Sequence, residues 1–159
     1  MMTSDTIEGG CACGAVRYRL TGKPMFVNCC HCTSCQTETG SAFAINALYE
    51  RDRVVLTRGA PEEIQTPSES GAGQQVWRCP DCRVALWSNY GSAKDKIRFV
   101  RVGTLDEPAA LEPDAHIFTR SKLPWVQLPE GALAVDEYYS MSEVWPAESL
   151  ERRKAALAQ

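Results

Sequence analysis

Apolar and polar residues alternate over short stretches of this chain. At 16–20 (Val-Arg-Tyr-Arg-Leu) the alternation has the period of two expected of a half-buried strand, and 25–28 is a partner candidate after the Gly22-Lys23-Pro24 turn, which predicts a hairpin. Residues 33–39 have helical character for at most two turns and stop at Gly40. Further short strands are expected at 43–49, 54–57, 63–66, 74–78, 84–88 and 97–102, separated by segments rich in Gly, Pro and Ser. Residues 105–133 carry Pro108, Pro113, Pro124 and Pro129 and should run as ordered loop with a short strand near 116–119. Only the end reads as a firm helix: Pro146 suits a first turn and 147–158 is full of helix formers. The expected class is mainly β with a short C-terminal helix.

Bulk properties narrow the function. With 159 residues and 44% hydrophobic content, the chain can build one core of its own. Its net charge of -3 and the absence of a long basic run argue against nucleic acid. The basic Arg152-Arg153-Lys154 reads as a solvated helix face. No stretch approaches the roughly 20 apolar residues of a membrane-spanning helix, and residues 1–10 lack a signal-peptide pattern. A cytoplasmic protein is expected.

The chemistry lies in eight cysteines, and a reducing compartment favours metal binding or catalysis over disulfides. They form three clusters: Cys11 and Cys13; Cys29, Cys30, Cys32 and Cys35; Cys79 and Cys82. On extended backbone Cys11 and Cys13 face one side, and Gly9, Gly10 and Gly14 allow close approach and unusual dihedrals. Cys79-Pro80-Asp81-Cys82 has zinc-knuckle spacing. Together these pairs offer four thiolates, the closed donor set of a structural zinc. A redox reading of Cys79 and Cys82 would want a βαβ context, which the pattern lacks.

The central cluster, Asn28-Cys29-Cys30-His31-Cys32-Thr33-Ser34-Cys35, parses in two ways. Cys30 and Cys32 share a face and Cys35 joins them from a helical turn, giving three thiolates and a vacancy, the mark of a catalytic zinc. Alternatively Cys29, Cys32 and Cys35 form a ferredoxin-like run, but Thr39 and Gly40 stand where a further Cys and Pro would follow. Closure of the site by Cys29, His31 or a remote His116 stays open. An open three-thiolate zinc suits a thiol ligand, which loses its proton on binding and can then attack an electrophile or leave a carbon–sulfur bond.

These residues resemble the glutathione-dependent formaldehyde-activating enzyme family, whose domain also occurs in centromere protein V. The similarity begins with Gly9-Gly10-Cys11-Ala12-Cys13-Gly14-Ala15-Val16-Arg17-Tyr18 and takes in Cys30-His31-Cys32-Thr33-Ser34-Cys35-Gln36, Gly40-Ser41-Ala42-Phe43 and Cys79-Pro80-Asp81-Cys82. It continues through Val102-Gly103-Thr104-Leu105-Asp106, His116-Ile117-Phe118-Thr119-Arg120-Ser121-Lys122 and Pro124-Trp125-Val126. The resemblance implies a tent-like arrangement of small antiparallel sheets around two zinc ions per chain. One is structural on Cys11, Cys13, Cys79 and Cys82, and one catalytic on Cys30, Cys32 and Cys35. It further implies a carbon–sulfur lyase acting on a thiol–aldehyde adduct such as S-(hydroxymethyl)glutathione, with glutathione as the expected small-molecule partner. A non-enzymatic zinc module that recognises a thiol or a protein is the alternative. The expected organisation is an extension at 1–8, a zinc domain at 9–140 and a helical tail at 141–159. Two positions depart from the family pattern: Arg83-Val84 replaces Gly and a small hydroxyl residue, so Arg83 must take a glycine-like angle, and Cys29 is an extra thiol.

Overall fold

The computed structural model describes residues 5–159. Residues 1–4 of the expected extension lie outside the described residues. Its remainder already holds part of the first strand, β1 (Thr6–Gly10). β1 pairs with β2 (Arg17–Thr21), and β2 with β5 (Val54–Arg58), in a three-stranded antiparallel sheet.

The other strands form one eight-stranded sheet in the order β11-β10-β3-β4-β9-β8-β7-β6. They are β3 (Phe26–Cys30), β4 (Ala44–Glu50), β6 (Glu62–Thr66), β7 (Gln74–Arg78), β8 (Ala85–Tyr90), β9 (Ile97–Arg101), β10 (Ala115–Ile117) and β11 (Leu133–Ala134). The pairs between β3 and β9 and out to β6 are antiparallel, while β10 lies parallel to both β3 and β11. The proline-rich segment makes that possible, because a parallel neighbour needs a long connection and cannot be reached by a tight turn. The chain is mainly β, as the sequence pattern implies.

The predicted hairpin at 16–28 does not form. β2 and β3 enter different sheets, and the Gly22-Lys23-Pro24 segment is a crossing between them. The reason is burial. β3 is buried at all five positions and has β4 on one side and β10 on the other, so it needs neighbours on both edges. β2 exposes Arg19 and Thr21 and pairs with the more exposed β1 and β5.

Two apolar clusters result. The first gathers Val16, Tyr18, Leu20, Tyr49, Leu86, Trp87 and Val100 between the sheets, with the Tyr18 and Trp87 rings edge to face at 5.9 Å. The second joins β3 and β4 to the carboxy-terminal helices α2 (Met141–Val144) and α3 (Ala147–Leu157). Trp145 stacks on Phe26 at 5.4 Å, Ser149 Oγ donates to the Met25 carbonyl at 2.6 Å, and Arg152 forks onto Glu50 at 2.7 Å. The tail is therefore packed against the sheet that carries the central cysteines.

Candidate metal centres

Cys11 closes β1 into a turn, and this corrects the extended-strand picture of Cys11 and Cys13: residues 12 and 13 are turn residues. The Cys11 amide donates to the Val16 carbonyl at 3.1 Å, and the Val16 amide donates back to the Cys11 sulfur at 3.3 Å. Gly14 is needed for that turn, at φ +79°. Gly10 is needed for a different reason: a Cβ there would sit 2.5 Å from the Val16 carbonyl oxygen. Its room is taken by the chain itself.

Between β7 and β8, Cys79 and Cys82 stand on a second tight turn. The Arg83 amide donates to the Cys79 carbonyl and the Cys79 amide to the Val84 carbonyl, both at 3.0 Å. Arg83 adopts φ +67°, the angle required of it by the missing glycine. The two turns meet, and the sulfurs of Cys11, Cys13, Cys79 and Cys82 all lie within 4.8 Å of one another. Two of the separations are 3.6 and 3.7 Å, Cys11 to Cys13 and Cys13 to Cys79. A tetrahedron with zinc–sulfur bonds of about 2.3 Å has edges of about 3.8 Å, so the donor set fits that ion. Amide donors from Val84 and Cys13 hold the Cys82 thiol down to about 6, which favours the ligating thiolate.

A second group forms where β3 runs into α1 (Thr33–Thr39). Cys30 ends the strand, Cys32 is the N-cap of the helix in extended conformation, and its sulfur accepts from the Cys35 amide at 3.2 Å. The three sulfurs lie within 4.8 Å of one another and are buried. The Cys30 and Cys35 thiols, donating to Cys32, pull it far below the ordinary thiol range, while those contacts and burial push Cys30 up. One negative charge is thus already favoured in the group. The α1 helix that carries Cys35 is tied to the sheet by Glu38, whose buried carboxylate meets Arg78 at 2.8 Å and Arg101 at 3.3 Å. Sequence reasoning overlooked Glu38, because nothing local marks its two partners.

Cys29, His31 and His116 do not join that trio; they make a third group on the other face of β3. His116 is the register partner of Cys29 across the parallel β3–β10 pair, so three donors face one side. His31 Nε2 and His116 Nδ1 are hydrogen bonded at 3.0 Å, and Cys29 Sγ lies 3.6 Å from the same nitrogen. Burial pushes Cys29 up to about 12 and, with the neighbouring His116, takes His31 down to about 4. A neutral imidazole pair beside a protonated thiol is the form this environment stabilises.

The trio of Cys30, Cys32 and Cys35 opens onto a cavity of about 510 Å³. Leu48, Ile97, Phe99, Ile117 and Phe118 make much of its wall, with Ser34 and Glu69 on the polar side. Ser34 Oγ donates to Glu69 Oε2 at 3.2 Å. Tyr139 Oη donates to Asn28 Oδ1 at 2.8 Å and receives the Trp145 indole N–H at 3.0 Å, fixing Asn28 in the wall. Cys11, Cys13, Cys79 and Cys82 are not among the residues that line this cavity. No helix among the described residues is long and apolar enough to cross a membrane.

Residues 6–121 match a family model described as glutathione-dependent formaldehyde-activating enzyme. A Halomonas elongata protein named "Putative glutathione-dependent formaldehyde-activating enzyme" is 28% identical over 127 residues, covering 77% of this chain and 80% of that one. A crystal structure of a Rhodobacter sphaeroides protein superposes on 67% of this chain and 92% of its own, at 20% identity and a TM-score of 0.46.

Proposed function

The chain belongs to the glutathione-dependent formaldehyde-activating enzyme family, and from that membership we propose that it is a carbon–sulfur lyase joining a small thiol reversibly to an aldehyde. Formaldehyde and glutathione are the pair that the family name supplies. The observation carrying this reading is the convergence of Cys30, Cys32 and Cys35 on one cavity with no fourth donor in their group among the described residues. Cys11, Cys13, Cys79 and Cys82 would hold one zinc ion as a closed clamp, and Cys30, Cys32 and Cys35 a second. A zinc ion held by the trio would stabilise a thiol at this position as its thiolate.

The residues around that position do the rest. Bond-making joins sulfur to the carbonyl carbon while the C=O π bond breaks, and the thiol proton ends on the new hydroxyl oxygen; cleavage is the reverse. Ser34 Oγ and Glu69 Oε2, bonded at 3.2 Å on the cavity wall, form a hydroxyl–carboxylate pair that can pass that proton between sulfur and oxygen. The apolar wall excludes water from the adduct. Exchange among formaldehyde, glutathione and their adduct, measured by NMR at equilibrium, tests the reading. Exchange should be faster with protein and return to the uncatalysed rate in Cys32→Ala, which should also lose one of two zinc ions. Equal rates with and without the wild type would leave a non-enzymatic thiol-binding module instead.

A further inference from the structure

The family match ends at residue 121, yet part of the cavity wall comes from beyond it: Tyr138, Met141 and Arg153. Arg153 stands in the basic triplet of α3, and its neighbour there is committed elsewhere. Arg152 forks onto Glu50, and a rotation of about 100° per residue carries Arg153 to a different side of the helix, facing the cavity. Arg153 is the one Lys or Arg of the lining, and no carboxylate among the described residues pairs with it. The lining's one carboxylate, Glu69, is already met by Arg120 at 3.3 Å, Ser34 at 3.2 Å and Thr33 at 3.4 Å. The cavity therefore offers a guest one free positive charge, a wall that is largely apolar and aromatic with neutral polar groups at Ser68, Ser70, Gln74 and Ser92, and three thiols.

We propose that Arg153 is the carboxylate-binding residue of this cavity and that the preferred thiol has an apolar or aromatic body bearing a single carboxylate. The proposal rests on reading the cavity as the thiol site. Glutathione carries two carboxylates and an ammonium; Arg153 can neutralise one carboxylate, and the second would meet only neutral donors such as Ser92 and Gln74 beside the apolar wall, with no opposite charge. A thiol such as 4-(mercaptomethyl)benzoate meets both features, with its ring against the aromatic wall and its carboxylate in a charge-assisted pair with the guanidinium.

Titration calorimetry on the zinc-loaded protein tests this with 4-(mercaptomethyl)benzoate, uncharged phenylmethanethiol and glutathione. The acid should bind about tenfold more tightly than glutathione. Arg153→Gln should weaken the acid about tenfold, change phenylmethanethiol less than about twofold, and be partly rescued by Arg153→Lys. Glutathione binding as tightly as the acid in the wild type overturns the proposal, as does an equal loss for charged and uncharged thiols in Arg153→Gln. The two readings fail separately. Arg153-dependent binding without accelerated adduct exchange defeats the lyase and leaves this subsite standing; accelerated glutathione exchange indifferent to Arg153 does the opposite.

Discussion

Replacing Glu38 by alanine should unfasten the helix that carries Cys35. Its side chain is 4% exposed, and the two arginines that meet it are 23% exposed at Arg78 and 8% at Arg101. Removing the carboxylate leaves Arg101 with neutral partners only, the side-chain Oδ1 of Asn46 and the Ser88 hydroxyl at 2.7 Å. Breaking a buried pair from one side costs about 3–5 kcal/mol, because the surviving charge stays buried. Arg78 reaches solvent, which argues for the lower end, about 3 kcal/mol. In a chain of this length that lowers the melting temperature by roughly 6–12 °C. Glu38→Gln keeps an acceptor and should lose about half as much. Urea denaturation of the three proteins, each with metal content measured in parallel, checks both numbers. A loss under about 1 kcal/mol for Glu38→Ala would refute the claim that this carboxylate compensates a buried guanidinium.

Other positions give independent tests. Cys79→Ala and Cys35→Ala should differ in kind: the first releases turns held together across 66 positions and costs about 4 kcal/mol by loop-closure entropy. The second should cost far less stability while losing the metal of the trio, and thermal melts with zinc counts separate them. Arg83→Gly should stabilise the fold by about 0.5–1 kcal/mol in urea, since it relieves a left-handed residue and sacrifices an exposed Arg83–Glu62 pair. His31 is held near 4, first by burial and then by His116, so below its ordinary range the unfolded chain binds a proton that the folded chain refuses. Stability should therefore fall as pH drops from about 6.5 towards 4, by up to about 1.4 kcal/mol per pH unit. His31→Leu should reduce that slope, with buried His116, itself pushed down by burial, keeping a share of it, and urea midpoints that fall equally in both proteins would rule out the part assigned to His31.

Much of the site was legible because its geometry is local. Cys30, Cys32 and Cys35 are brought together by a strand end, an N-cap and a first helical turn, all within six positions, and period-two reasoning alone separates them from Cys29 and His31. Arg83 is another local case: the family pattern has a glycine directly after this Cys-x-x-Cys pair, so the left-handed angle at Arg83 could be expected from the sequence. The hairpin at 16–28 was misread for the opposite reason. Alternation reports how much of a strand is buried, and it is silent on which neighbour buries it; that was decided by β4 and β10, far away in the chain.

The same distinction explains the cavity. Its cysteine floor is written in neighbouring positions of one segment, but its walls come from β4, β9, β10 and the carboxy-terminal helices, which meet only through packing. Trp145 on Phe26 and Ser149 on the Met25 carbonyl dock the tail, and that docking brings Arg153 to the cavity. In the bare sequence Arg153 sits in a basic triplet indistinguishable from a solvated helix face, because the helix phase depends on Arg152 finding Glu50 102 positions away. Chemistry encoded in a local motif and selectivity supplied by a distant packed segment can vary independently. If the cavity takes a thiol as proposed, substituting the tail should therefore change which thiol binds without disturbing the Cys30, Cys32 and Cys35 sulfurs.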